Sequence, residues 1–358
     1  MVRELRVELG DRSYPIVCGP RLLEGAGGWL KRIGRMVPPA LVVSNPTVAD
    51  LYWPPLEASL KGEGWQPHLI LLPDSEEAKT LKEISRVYDL AGEIKMERKS
   101  PLIALGGGVV GDAAGFVATT WLRGLPFIQI PTTLLAQVDA SVGGKVALNH
   151  PQGKNLIGAF YQPRLVLIDV DTLKTLPERE FRSGLAEVIK YGVIMDRDFF
   201  EYIEQNLENI MAGQPECLME VVCRSCSLKA RVVAQDEREE TGLRRILNFG
   251  HTVGHAVEAA TGFSLYRHGE AVAIGMALAA RMAVEMGIFS LQECRRLLAL
   301  LKRAGLPTEM PPLNGEAFRQ ALLRDKKIEG GRILMVLPVN LGRVEVREVS
   351  WEEILRFI

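Results

Sequence analysis

Five short runs in the first half of the chain, Ala40 to Val43, Leu69 to Leu72, Leu102 to Leu105, Phe127 to Ile130 and Leu165 to Ile168, are almost wholly apolar, and stretches of helical periodicity separate them. A strand that is apolar at successive positions must be covered on both faces, and strands alternating with helices pair in parallel. The first half is therefore expected to fold as an α/β layer, with Met-Val-Arg-Glu-Leu-Arg at the start reading as a further strand. From Pro177-Glu-Arg-Glu onward the period becomes helical, and Pro at a helix start suits that boundary. Gly305-Leu-Pro307 and Pro311-Pro312 punctuate the later helices, and Ile333 to Leu337 reads as one late strand. At 358 residues the chain exceeds the usual single core, so two domains with a cleft between them are expected, 1–176 and 177–358.

The formal net charge of −1 with 24% charged residues excludes a wholly basic face, so no nucleic-acid and no membrane-surface partner is expected. Any cluster of Lys and Arg must be local. The longest apolar stretch, Ala271 to Ala280, is about half of what a bilayer needs and reads as a buried helix. The N-terminus lacks a signal-peptide pattern, and the five scattered cysteines suit a reducing, cytoplasmic setting. Cys223 and Cys226 form a C-x-x-C without a second pair, in a segment that reads as a helix, so two small buried side chains are the plainer reading than a zinc or redox pair.

Gly106-Gly-Gly-Val-Val-Gly111-Asp112 follows an apolar run and precedes a helical stretch. Its glycines satisfy G-x-G-x-x-G, where a tight turn delivers the first amides of a helix to a phosphate. The acidic residue expected about twenty positions on is missing, since Leu125-Pro126-Phe127 stands there. A close strand-to-helix turn without a ligand is the alternative. Downstream, Pro131-Thr-Thr133, Gly143-Gly-Lys145 and His150-Pro-Gln-Gly-Lys154-Asn155 gather hydroxyls, glycines and lysines suited to an anion, without the spacing of a P-loop.

Asn248-Phe-Gly-His-Thr-Val-Gly-His255, followed by His268-Gly-Glu270, places three of the five histidines in one short stretch. His251 and His255 lie four apart, so a helix projects both rings from one face. Glu187, in Ser183-Gly-Leu-Ala-Glu-Val-Ile-Lys190, is the carboxylate that would complete a shell of two imidazoles and one carboxylate, the pattern of a catalytic metal site. Packing on a Gly- and Ala-rich helix is the alternative for His255, and a surface pair is the default for Glu187 and Lys190 at their spacing.

These segments, together with Leu122-Arg-Gly-Leu-Pro-Phe127 and Pro131 to Asp139, resemble the 3-dehydroquinate synthases of the sugar phosphate cyclase superfamily in nearly the whole chain and in the family's order. The resemblance implies an α/β N-terminal Rossmann-like nucleotide-binding domain plus a mainly α-helical C-terminal metal and substrate domain, with the active site in the cleft. It implies catalytic NAD, a Zn²⁺ ion with Co²⁺ as the substitute, and the sugar phosphate 3-deoxy-D-arabino-heptulosonate 7-phosphate as substrate. The metal ligands it implies are Glu187, His251 and His268. Its catalytic positions fall on Arg123, Asp139, Lys145, Lys190, Asn248 and His255, and its substrate-binding positions on Lys154, Asn155, Lys229, Arg244 and the Lys326-Lys327 pair. Its cofactor-binding positions fall on Asn45, Asp74, Glu76, Glu77, Lys79, Gly108, Val109, Val110, Gly111, Asp112, Thr132, Thr133, Lys145, Lys154, Thr172, Leu173, Lys174 and Thr175. A homodimer follows by resemblance alone.

Three rivals share parts of this pattern. A glycerol-dehydrogenase-like oxidoreductase would stop after hydride transfer and leave the anion-binding set without a task. Other sugar phosphate cyclases would have no carboxylate to clamp. A non-catalytic nucleotide binder would not need the metal ligands.

Overall fold

The structure, a computed structural model, describes residues 2–313, 315–324, 328–329 and 332–358. It divides into two compact units, Met1–Leu176 with Leu218–Arg238, and Pro177–Cys217 with Glu239–Ile358. Each is taken by itself below.

The first unit is built on β1 (Arg3–Val7), β2 (Tyr14–Gly19), α1 (Ala26–Arg32), β3 (Ala40–Ser44), α2 (Pro46–Gly62), β4 (Pro67–Leu71), α3 (Leu81–Glu93), β5 (Leu102–Gly106), α4 (Gly108–Thr120), β6 (Phe127–Pro131), β7 (Lys145–His150), β8 (Gly153–Phe160) and β9 (Leu165–Asp169). Seven strands form one sheet in the order β1-β2-β9-β6-β5-β3-β4, parallel except for the antiparallel β1-β2 pair, while β7 and β8 form a separate hairpin. Every apolar run expected to be a strand is one. Successive residues alternate between two cores: Leu41, Val43, Leu102, Ala104 and Phe127 pack with α3 and α4, whereas Ala40, Val42, Ile103, Leu105 and Ile128 pack with α1 and α2. That is why period-two polarity is missing from these strands, since neither face meets water. The hairpin is the element that the sequence reading treated only as an anion-binding stretch.

The second unit contains α5 (Glu178–Met195), α6 (Arg197–Met211), the start of α7 (Pro215–Gln235), α8 (His251–Ala260), α9 (His268–Glu285), α10 (Leu291–Arg303), α11 (Gly315–Arg324), a small sheet of β10 (Ile328–Glu329), β11 (Arg332–Asn340) and β12 (Arg343–Val349), and α12 (Trp351–Leu355). It is mainly helical, as expected. Ala271 to Ala280 is the buried middle of α9. No helix among the described residues is long and apolar enough to cross a membrane.

Most of α7 departs from a simple division after residue 176, because Leu218–Arg238 groups with the first unit. Its side chains explain this. Cys18 donates to the Met219 sulfur at 3.5 Å, Cys226 donates to the Gln137 carbonyl at 3.2 Å, and Lys229 reaches Asp139. The C-x-x-C is therefore helical, and both of its thiols are buried and free. A hydrogen bond to Cys223, and then burial, push the Cys18 thiol up, and burial does the same for Cys226. Because the thiolate is the reactive form, we expect alkylation of the folded protein in mildly alkaline buffer to spare Cys18 and Cys226, with both labelled only after denaturation, as read by peptide mass spectrometry.

Candidate active site

In the second unit, Glu187 sits in the middle of α5 with its side chain 0% exposed. A charged carboxylate so deeply buried demands compensation. Lys190, one turn on and 1% exposed, forms an ion pair with its Oε2. Glu187 Oε1 faces two imidazoles, at 3.6 Å from His251 Nε2 and 3.8 Å from His268 Nε2. Neither carboxylate oxygen receives a well-formed hydrogen bond among the described residues. The ligand atoms of Glu187, His251 and His268 all lie within 4.8 Å of one another, a spacing that a single ion at the centre would satisfy. His251 is prepared for that task. Burial first, and then the neighbouring Lys190, His268 and His255, hold it well below the usual imidazole range, so its ring is neutral at physiological pH. Its Nδ1 lies 3.2 Å from the Phe249 carbonyl, which fixes the proton there and leaves the Nε2 lone pair directed at Glu187.

Close helix packing brings these three residues together from separate elements. A Cβ on Gly269 would stand 1.9 Å from the Ser183 carbonyl oxygen, and one on Gly275 would stand 1.9 Å from the Gly250 carbonyl oxygen. Gly250 itself has φ +80 at the start of α8, where a Cβ would meet Met276 and the Val272 carbonyl at 2.6 Å. Three glycines thus let α5 and α8 lie against α9 at backbone distance. Ser183 Oγ accepts from the Gly269 amide at 2.9 Å, and Arg179 clamps Glu270 with two bonds of 2.7 Å. These contacts fix the first turn of α9, and with it His268.

Asn248, His251 and His255 line one cavity of about 90 Å³ with Thr252, Arg245 and apolar residues of β11 and β12. The three rings cluster, with centroids 5.2 Å (His251 to His268), 5.4 Å (His251 to His255) and 6.0 Å (His255 to His268) apart. His255 therefore adjoins the metal-type cluster rather than completing it, and His268 takes the place that helix spacing alone suggested for it. Arg244 is buried in the turn before α8, 3.8 Å from Glu239. Lys326 and Lys327 lie outside the described residues.

In the first unit the candidate cofactor residues gather at the carboxyl ends of parallel strands, where nucleotide sites of such sheets form. Asn45 follows β3, Asp74 follows β4, the glycine-rich turn follows β5, Thr132 and Thr133 follow β6, and Thr172 to Thr175 follow β9. The chain reverses its direction of strand addition at β3, with β4 on one side and β5 on the other, which makes a crevice there. Gly107 caps α4 without a side-chain bond, so the first amides of the helix carry no such partner, and the Thr132 hydroxyl is buried without one. Lys79 pairs with Asp112 at 2.6 Å and also bonds Asn155, tying the hairpin to the turn. Asn45 accepts from Val48 and donates to Asp74, and Asn149 of the hairpin donates to Glu76. Thr172 bonds Gln137 and the Asp169 carbonyl, Leu173 is core, Thr175 bonds Tyr52, and Lys174 pairs with Asp171. These four residues have structural partners of their own. Glu77 is exposed, and Lys145 and Lys154 are exposed on the hairpin.

Asp139 and Lys229, ninety positions apart, meet at 2.6 Å, with a second bond of 2.7 Å to the Asp139 carbonyl. Arg123 is placed differently. It follows the far end of α4, a helix of 13 residues and so about 20 Å long, and precedes the start of β6, whereas the glycine-rich turn follows the end of β5. Within this unit it does not join the other candidates.

Residues 69–183 match the family model described as 3-dehydroquinate synthase N-terminal, and residues 184–328 match 3-dehydroquinate synthase C-terminal. The 3-dehydroquinate synthase of Pelotomaculum thermopropionicum is 54% identical over 96% of this chain and 92% of its own length, and that of Desulforamulus reducens is 51% identical over 98% of each. The chain belongs to the 3-dehydroquinate synthase family. Among solved structures, 2-deoxy-scyllo-inosose synthase complexed with carbaglucose-6-phosphate, NAD+ and Co2+ superposes with a TM-score of 0.90 at 26% identity, covering 99% of this chain and 98% of that one. The 2-epi-5-epi-valiolone synthase of Streptomyces hygroscopicus, with NAD+ and Zn2+ bound, gives 0.88 at 32% identity, covering 98% and 96%. Glycerol dehydrogenase of Schizosaccharomyces pombe, at 0.66 and 19%, shares the fold alone.

Glu258 and Gly275 carry no motif of their own, although Glu258 lies on the helix face of His251 and His255 where periodicity points to it, while Gly269 and Arg179 fall inside His268-Gly-Glu270 and the helix start after Pro177. Gly269→Ala forces a methyl group into the Ser183 backbone, so we expect a loss of about 1–3 kcal/mol in urea unfolding together with weakened divalent-ion retention in equilibrium dialysis. Burial holds the Asp112 carboxyl above its ordinary range against the pull of Lys79. The unfolded chain ionises that carboxyl at lower pH than the folded chain does, so its charge costs stability as pH rises through the interval. Removing the compensating ammonium with Lys79→Met should therefore destabilise the cofactor-free protein less at about pH 4 than at about pH 7, and equal losses at both values would contradict this account.

Proposed function

We infer that this chain converts 3-deoxy-D-arabino-heptulosonate 7-phosphate into 3-dehydroquinate and phosphate, using NAD⁺ catalytically and a divalent ion held by Glu187, His251 and His268. The observation that carries the reading is the Glu187 carboxylate, sealed from water and facing two imidazole nitrogens, in a chain about half identical to 3-dehydroquinate synthases along nearly its full length. The donor set of one carboxylate and two imidazoles fits zinc or cobalt and leaves positions for substrate oxygens. When bound, NAD⁺ supplies a hydride acceptor that can return the hydride, and the ion supplies polarisation of the substrate hydroxyls.

The chain's own residues bind, orient and move protons around that chemistry. Lys190 pairs with Glu187 Oε2, which leaves Oε1 facing the two imidazoles with which it would hold the ion. Asn248 and His255 border the cavity beside His251, where His255 can take or give a proton at a substrate oxygen. Arg244, with Lys229, suits capture of the substrate carboxylate, and Lys145, Lys154 and Asn155 suit its phosphate. The glycine-rich amides and the Thr132 hydroxyl suit the cofactor's pyrophosphate. A carboxylate clamp favours the heptulosonate over sugar phosphates that lack that group. A homodimer and a cytoplasmic location belong to the same reading, and the buried free thiols suit a reducing compartment.

Incubation with the heptulosonate phosphate, substoichiometric NAD⁺ and Zn²⁺ should release phosphate and 3-dehydroquinate in equal amounts with no net NADH. Glu187→Gln and His268→Ala should abolish both products. Phosphate release unaffected by either change, or NADH accumulating with the turnover, would overturn the assignment.

A further inference from the structure

Both imidazoles proposed as ligands direct Nε2 to Glu187, so each must hold its one proton on Nδ1 when Nε2 gives a lone pair to an ion. That N–H needs an acceptor behind the ring. His251 has the Phe249 carbonyl, a neutral group, at 3.2 Å. Behind His268 stands a carboxylate: Glu258 Oε2 lies 3.5 Å from Nδ1, on a side chain only 13% exposed.

Resting on the function proposed above, we propose that Glu258 is a positioning residue for His268, accepting its Nδ1–H, fixing the ring's tautomer and aim, and strengthening Nε2 as a ligand. Two features of the chain support the role. Glu258 lies seven residues after His251, two turns along α8, so one helix presents a ligand and, on the same face, the carboxylate that backs the other ligand. The ring it backs needs more support than its fellow. His268 is 30% exposed and sits in the first turn of α9, whereas His251 is 12% exposed. A carboxylate acceptor raises imidazole donor strength more than a carbonyl does, so the less enclosed ligand receives the stronger partner.

A different use of the same groups is a second cation site, since the ligand atoms of His255, Glu258 and His268 also lie within 4.8 Å of one another. Stoichiometry separates the two. The experiment uses the full chain stripped of metal, titrated with Co²⁺ and Zn²⁺ against a chromophoric chelator, with metal content per chain and the visible spectrum of the Co²⁺ form recorded. The parent should hold one ion per chain. Glu258→Ala should weaken binding about 10- to 100-fold and shift the Co²⁺ bands, while Glu258→Gln, whose amide oxygen can accept the same N–H, should recover part of the affinity. The metal-free melting temperature of Glu258→Gln should stay near that of the parent. Unchanged affinity and bands in Glu258→Ala would overturn the proposal. So would two ions per chain falling to one in that variant, or a loss of affinity that tracks only a fall in metal-free stability and is not recovered by Gln. A parent chain that binds no divalent ion would instead bring down the functional reading itself.

Discussion

A carboxylate with no exposed surface is the constraint around which the C-terminal unit is organised. Ionised Glu187 cannot remain in the middle of a buried helix without positive partners, and Lys190 alone, one turn away, satisfies only one oxygen. The other oxygen is offered to two imidazoles that come from different helices. Apolar packing cannot secure such an arrangement, because it is indifferent to direction. The backbone contacts at Gly269 and Gly275, the Ser183 to Gly269 bond and the Arg179 to Glu270 clamp do secure it, by fixing how far and at what rotation α9 lies from α5 and α8.

The N-terminal unit solves a different problem with a different device. A parallel sheet covered on both faces ends in a row of strand termini where side chains and amides can face a ligand without disturbing either core. The glycine-rich turn, Thr132 and Asn45 begin one residue beyond β5, β6 and β3, and the Lys79 to Asp112 pair ties the segment after β4 to α4. The close contacts of Gly107 with Thr133 and of Gly111 with Gln129 add a packing reason for glycine there, 3.2 and 3.1 Å from where a Cβ would stand. The turn without a ligand, raised as the alternative, thus has a physical basis of its own. A side chain at either glycine would crowd its neighbour, and the first turn of α4 has no side-chain cap.

Legibility followed the physics of each feature. Strands announced themselves because burial on both faces makes them apolar at successive positions, and the start of α5 announced itself through Pro177. The hairpin β7 to β8 was hidden, because half-exposed strands with Lys, Asn, His and Gly read as a polar loop. The grouping of Leu218–Arg238 with the first unit was hidden as well, since a helix pattern says which face is apolar and not which core receives it. Helix spacing paired His251 with His255, yet the ring that faces Glu187 beside His251 belongs to His268, seventeen residues on and in another helix.

The layer types, the family resemblance, the glycine-rich turn and a carboxylate and imidazoles suited to a metal could be read from residue order, because local periodicity, turn chemistry and residue type are properties of neighbours along the chain. Which imidazole meets which oxygen, the meeting of Asp139 with Lys229, the place of Arg123 away from the glycine-rich turn, and the 3.5 Å between Glu258 Oε2 and His268 Nδ1 are visible in the folded chain alone. Those facts depend on helix separations and rotations set by a few backbone contacts, and contacts between distant segments leave no periodic trace in the order of residues.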